Sequence, residues 1–162
     1  MRVVVGGPEE ADAAEIGPVY TAAFAAPPYG EGDASALMRR LRAHRARDGF
    51  AIAAARDGGR LVGFAYGYTG RAGQYWTDLV AAALDRPLDG HFELVELAVH
   101  PDAQGGGIGP ALISAILAGR PEPRVLLQTH DGDTVAMRLY RRFGFTRMVV
   151  VPGGVVLERA LP

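Results

Sequence analysis

The sequence has no cysteine, no lysine and no asparagine. Without cysteine there is no disulfide, no thiolate metal site and no cysteine nucleophile. All 17 basic residues counted as lysine plus arginine are arginines. The chain therefore has no phosphate-loop lysine and no Schiff base. Arginine keeps its proton at any useful pH, so it cannot replace lysine as a base. Serine is scarce: Ser35 and Ser114 are the only two, and neither lies in a nucleophile elbow. The histidines His44, His91, His100 and His130 lack metal-ligand spacing, so no metal is expected. An excess of either charge is also missing. The formal net charge is −1, which argues against a nucleic-acid partner. No apolar run is as long as a membrane span, and the start reads as a strand and not a signal peptide. A cytoplasmic protein with no membrane partner is the expectation.

What remains is ordinary globular material: 162 residues, 49% hydrophobic and 22% charged, enough for one domain over residues 1–162. Hydrophobic period and turn residues predict a strand at 2–5 and a helix from Pro8 to about Ala25. A second helix follows, with Ser35 as its cap and Leu37, Met38 and Leu41 inward. Strands at 50–55 and 61–69 flank an Asp57-Gly58-Gly59 hairpin. Residues 70–90 read as an inserted connection containing a short helix. A central strand at 92–99 precedes a helix at 108–118. The rest is a strand at 124–130, a helix at 134–142 capped by Asp133 and stopped by Gly144, and strands at 145–151 and 155–159. This order predicts a mixed α/β layer fold. The arginines at 39, 40, 42, 45 and 47 read as a solvated helix face.

The informative segment is Glu96-Leu97-Ala98-Val99-His100-Pro101-Asp102-Ala103-Gln104-Gly105-Gly106-Gly107-Ile108-Gly109-Pro110. Glycines let a backbone approach a bulky anion, and the amides at a helix N-terminus point toward it. Pro110 lies in the first turn, where a missing N–H costs little. A Rossmann fingerprint from Gly105 would need glycine or alanine at 110, and a Walker loop would need lysine.

The order that fits is strand, Gln/Arg-x-x-Gly-x-Gly/Ala, helix, with Gln104, Gly107 and Gly109 in the signature positions. Downstream, Ala136-Met137-Arg138-Leu139-Tyr140-Arg141-Arg142-Phe143-Gly144-Phe145 matches an Ala-x-x-Leu-Tyr-x-x-x-Gly-Phe pattern. In both motifs the C-terminal half resembles the GNAT superfamily of N-acetyltransferases. The N-terminal half matches mainly in element order. The resemblance implies a mixed sheet of about seven strands with a splayed central parallel pair, flanked by about four helices. It implies acetyl-CoA as donor substrate and direct attack by an amine in a ternary complex.

By the same resemblance, the backbone of Leu97, Ala98 and Val99 would meet the pantetheine arm, and Gln104, Gly105, Gly106, Gly107, Ile108, Gly109 and Pro110 would cradle the pyrophosphate. A bulge in that strand would aim an N–H of Leu97 or Val99 at the thioester carbonyl. Tyr140 would lie near the leaving sulfur and the cofactor, as proton or hydrogen-bond donor. His130 would contact the cofactor through its backbone. Asp133 stands where the family often has an asparagine that touches CoA, and an ionised aspartate has no hydrogen to donate.

Deprotonation of the acceptor amine calls for a carboxylate, and Glu93 and Glu96 on the central strand are the candidates. Glu93, four residues before Leu97, is slightly preferred; His91 is a weaker choice. Phe24, Tyr29, Tyr66, Tyr68, Tyr75 and Trp76, with Glu31, Asp33 and Asp78, could line the acceptor side, under a lid at Pro27-Pro28-Tyr29. The acceptor is a small molecule or a peptide or protein amine, and the chain a monomer or homodimer. The competing expectation is a non-catalytic acyl-CoA-binding or regulatory domain on the same fold.

Overall fold

The computed structural model describes residues 1–27, 29–30 and 32–162. It is a mixed α/β structure whose seven strands, β1 (Arg2–Gly6), β2 (Ala51–Asp57), β3 (Arg60–Thr69), β4 (Phe92–Val99), β5 (Arg124–Thr129), β6 (Thr146–Val151) and β7 (Gly154–Ala160), form one sheet in the order β1-β2-β3-β4-β5-β7-β6. Two compact units make up the chain: residues 1–68 with 96–118, and residues 69–95 with 119–162.

In the first unit, β1 (Arg2–Gly6), β2 (Ala51–Asp57) and β3 (Arg60–Thr69) form an antiparallel ladder. Gly58 and Gly59 close the β2–β3 hairpin with φ of 55° and 85°, the two left-handed positions that a tight two-residue turn requires. Residues 51 to 55 are all buried, and the four alanines among them let elements close on β2 while Ile52 fills the core. Helix α4 (Ile108–Leu117) packs on β1 and β2 through a face that includes Ile108, Leu112, Ile113, Ile116 and Leu117. A Cβ on Gly63 would sit 3.1 Å from Ile108 Cγ2 and 3.2 Å from Leu112 Cδ1, so glycine here permits close helix–strand approach.

The helix expected from Pro8 to Ala25 is divided. A 3₁₀ turn at Pro8–Glu10 comes first, and α1 spans Ala13–Phe24. Asp12 causes the restart: it accepts from Glu15 N at 2.9 Å, while Glu15 accepts from Asp12 N, a reciprocal capping box. At the β2 bulge, Arg56 donates to both Glu15 carboxylate oxygens and to Glu10 O, tying strand to helix. Helix α2 (Ser35–His44) starts one residue earlier than a Ser35 cap would place it. Its N-cap is Ala34, and the Ser35 N–H and hydroxyl both donate to Asp33 Oδ1.

The second unit holds α3 (Tyr75–Leu84), the start of β4 (Phe92–Val99), β5 (Arg124–Thr129), α5 (Val135–Arg142), β6 (Thr146–Val151) and β7 (Gly154–Ala160). The inserted connection thus does carry a helix, the fifth of the fold. Asp85, in the left-handed region at φ 50°, terminates α3. Asp89 draws the base of the insertion together by accepting from Ala72 N at 2.9 Å and Arg71 Nη1 at 3.4 Å. Val80, Leu88, Leu126, Val151 and Val156 form a core cluster there, with Trp76, Leu79 and Leu84 packed against it. The parallel pair of the sheet sets Phe92 opposite Val125 and Glu93 opposite Leu126, while β5 runs on to Thr129 in register with β7. Among the described residues, no helix is long and apolar enough to cross a membrane.

Candidate active site

In the first unit, the second half of β4 runs through Leu97, Ala98 and Val99 into a 3₁₀ turn, Pro101–Ala103. The His100 ring accepts from Asp102 N at 3.2 Å, and the Gln104 amide donates to Val99 O at 3.1 Å. Gln104 therefore closes the end of the strand, and its side chain is engaged in that task. Gly105 and Gly107 have φ of 80° and 79°, which favours glycine whatever surrounds them. Gly106 is different. Its φ is outside that region, and an added Cβ would meet only Ala103 O at an ordinary 3.6 Å. Neither its own conformation nor its packing requires glycine.

Gly107 is the N-cap of α4 and has no side chain to accept from the first turn. Pro110, third in the helix, has no N–H to offer, and Ala111 N closes the first turn on Gly107 O at 3.1 Å. The glycines at 105, 106 and 107 are exposed. An exposed, uncapped helix start behind three glycines is chemically an anion cradle.

The two carboxylates of β4 have different surroundings. Glu93 is buried in the second unit, 6% exposed and opposite Leu126. Glu96 belongs to the first unit, with a side chain 15% exposed, and Arg40 Nη2 lies 3.8 Å from its Oε2. Tyr29 stands within the field of Glu96. Its own burial first, and that charge second, hold its phenol above the usual range. Rings line up behind it: Phe24 is 4.9 Å from Tyr29 and Tyr20 is 4.7 Å from Phe24. Pro28 and Glu31, named above for a lid and an acceptor wall, lie outside the described residues.

Arg39, Arg40 and Arg42 are exposed, as the solvated-face reading of the arginine run expects, but Arg45 and Arg47 depart from it. Arg45 donates to Ala11 O at 2.7 Å, and Arg47 donates to the Tyr68 hydroxyl at 2.6 Å while its guanidinium lies 4.6 Å from that ring. At the end of α2 His44 is buried, its Nδ1 3.0 Å from the Tyr66 hydroxyl. Burial, with the charges of Arg47 and Arg40, lowers its pKa to about 4, so the ring is neutral at pH 7. Leu37, Arg40, Leu41 and His44 fall at i, i+3, i+4 and i+7, one helical face, so the spacing was a usable signal.

In the second unit, Tyr140 is 7% exposed in the last turn of α5. Its carbonyl accepts from Phe145 N at 3.1 Å, and Arg141 O accepts from Gly144 N at 3.0 Å. With Gly144 at φ 83° this is a Schellman stop, completed by the Tyr140 and Phe145 rings 5.6 Å apart. The pattern Tyr-x-x-x-Gly-Phe therefore fixes the tyrosine by how the helix ends. Asp133 does not cap α5. Thr134 does, accepting from Met137 N at 3.0 Å, because it holds the extended N-cap backbone. Asp133 instead pairs with Arg138 at 2.9 Å, and Asp131 with Arg147. His130 is exposed at the end of β5.

His91 is 1% exposed, and neither ring nitrogen has a hydrogen-bond partner among the described residues. Burial lowers its pKa to about 4, against the pull of Asp89. Its ring fills the space a Gly70 side chain would occupy, 2.2 Å from an ideal Cβ there. These features make it a packing residue. Glu122, also buried, accepts from Thr69 Oγ1 at 2.6 Å and pairs with Arg120 at 2.6 Å. No group of three His, Asp or Glu among the described residues could hold a metal ion.

This fold, with an uncapped glycine turn after a central strand, is that of a CoA-type acyltransferase. A sequence profile of the acetyltransferase (GNAT) family matches residues 18–145, and the chain belongs to that family. A GCN5-like protein acetyltransferase, Rv2170 of Mycobacterium tuberculosis, is 43% identical over 102 residues, covering 55% of this chain and 50% of that protein. A mycothiol acetyltransferase of Mycobacterium leprae is 32% identical over 160 residues, covering 90% of this chain and 46% of that one. The chain spans half or less of the length of these two relatives. The PaiA N-acetyltransferase of Thermoplasma acidophilum, solved with coenzyme A, shares the fold at TM-score 0.67 and 14% identity, covering 99% of both chains.

Proposed function

We propose that residues 1–162 act as one N-acetyltransferase domain that moves an acetyl group from acetyl-CoA to a primary amine by direct attack. The observation that carries this is the Gln104–Gly109 turn, where an exposed N-terminus of α4 has no side-chain cap. Its amides and dipole suit a pyrophosphate. Acetyl-CoA is the diphosphate ligand that family membership supplies, with Leu97, Ala98 and Val99 offering backbone groups to its arm. His130, Asp133 and Tyr140 complete the cofactor assignment by their motif positions. The Asp133–Arg138 pair suggests that a guanidinium, and not the carboxylate, serves any anion there.

The acceptor ammonium gives one proton to a β4 carboxylate, Glu93 or Glu96, directly or through water. The neutral nitrogen then attacks the thioester carbonyl, forming C–N as C–S breaks, and loses its second proton to solvent. The departing thiolate takes a proton from Tyr140, which is restored from solvent. The net products are the acetamide, CoA thiol and one proton. Holding both reactants in one place supplies much of the rate. One relative is a protein acetyltransferase and the other a mycothiol acetyltransferase, so both a protein and a small molecule belong in the acceptor screen.

The missing cysteines make the test clean, because a thiol reagent meets no background from the protein. Acetyl-CoA with a panel of peptide and small-molecule amines should release CoA thiol. Tight CoA binding without release across the panel would instead mark a non-catalytic acyl-CoA-binding domain.

A further inference from the structure

We infer that the Arg40 guanidinium occupies, in the acceptor-free protein, the place at Glu96 that a cationic acceptor head takes on binding. The acceptor class this defines is an alkylammonium on an apolar stem. The inference rests on the acetyltransferase reading for the fate of that amine, but the cation site stands on its own geometry.

Three observations carry it. First, the Arg40–Glu96 pair is loose. At 3.8 Å the charges attract, but the separation exceeds hydrogen-bond length. Arg40 is half exposed whereas Glu96 is only 15% exposed, so the cation can leave to water and the carboxylate cannot. Second, the arginines just past the end of α2 are held differently. Arg45 and Arg47 make hydrogen bonds of 2.7 and 2.6 Å, which mark them as structural. Arg40, on α2 itself, makes only the long ion pair among the hydrogen bonds and ion pairs described. Third, the anion has an aromatic flank. Tyr29 lies in the field of Glu96, followed by Phe24 and Tyr20 with ring centroids under 5 Å apart. Half-buried rings beside a carboxylate suit a cation with a hydrocarbon stem, which gains both ion pairing and contact with ring faces.

Glu96 also immediately precedes the Leu97–Val99 backbone assigned to the donor. A cation bound there belongs to the same stretch of strand as the thioester, which favours Glu96 over the more buried Glu93 as the acceptor's carboxylate.

Calorimetric titration with n-pentylammonium chloride reads the site without needing turnover, with sodium pentanoate as the anionic control. Arg40→Gln should tighten pentylammonium about two- to fivefold, the range expected when an exposed ion pair no longer competes. Arg40→Lys should stay within about twofold of the parent, since it still competes. Glu96→Gln should abolish binding while keeping the parent melting temperature within about 2 °C, as a near-isosteric change at a half-buried site. Weaker pentylammonium binding in Arg40→Gln, pentanoate binding that depends on Arg40, or no alkylammonium binding in parent and variant alike would overturn the inference. Thiol release from acetyl-CoA with pentylamine separates the two claims. Transfer with an acceptor KM unchanged by Arg40→Gln removes the stand-in and leaves the acetyltransferase. Tighter binding without transfer removes the acetyltransferase and leaves the cation site.

Discussion

The Gln104–Gly109 turn and the inward face of α2 belong to the same unit but are made of opposite materials. The turn works through backbone: Gly105 and Gly107 supply conformation, Gly106 supplies space, and Ile108 anchors the helix behind them. The α2 face and the turn after it work through side chains: Arg40, His44 and Arg47 meet Glu96, Tyr66 and Tyr68 from other parts of the chain. A backbone site is vulnerable to an added methyl and indifferent to pH. A side-chain site is the reverse.

The largest expected effect is on acid stability. His44 has a folded pKa of about 4 against the ordinary 6.5, and so does His91 in the other unit. A lowered histidine pKa stabilises fully above the unfolded value and is lost as pH falls from about 6.5 toward 4. Each should cost up to about 3 kcal/mol over that window. Thermal melts from pH 7.5 to 4.5 should fall steeply, and His44→Phe or His91→Phe should each flatten the slope by about one proton. A slope unchanged by both substitutions would show that neither ring is buried neutral.

Tyr140→Phe keeps the Schellman stop and the ring contact with Phe145 but removes the phenol hydrogen. It should lower kcat about a hundredfold with an unchanged melting temperature. A change in KM alone would reduce Tyr140 to a packing residue. Gly106→Ala should weaken CoA about tenfold, since the added methyl points where the ligand approaches. The same change should leave the melt within about 1 °C, because the free protein has room for it. A stability loss with CoA affinity intact would invert the comparison. The smallest effect separates two neighbours: Thr134→Ala should cost about 1 kcal/mol through loss of the α5 cap, and Asp133→Ala, an exposed pair, under about 0.5 kcal/mol. Urea melts distinguish the two.

The same contrast explains what the sequence made readable. Strand and helix bounds from Ala51 onward follow from local period and turn residues and lie within a residue or two of the structure. So do the Gly144 stop and the helix inside residues 70–90. The glycine turn was legible because its chemistry is written in consecutive residues. Caps were less so, because Asp12, Ala34 and Thr134 won their positions by backbone conformation over equally plausible neighbours. The arginine segment was read as solvated because its partners are 21 to 56 positions away: Tyr68 lies 21 from Arg47, Tyr66 lies 22 from His44, and Glu96 lies 56 from Arg40. No local pattern encodes such pairs. Burial of His91 against Gly70 depends equally on tertiary packing, which turned a weak base candidate into a core ring.

The claim that the turn binds the donor through backbone amides is tested most directly by following those amides in ¹⁵N-labelled protein as CoA is added. The account predicts that the largest shifts fall on Gly105, Gly106, Gly107, Ile108 and Gly109, saturate with CoA, and are weakened in Gly106→Ala. Saturable shifts elsewhere, with these five signals unmoved, would contradict it.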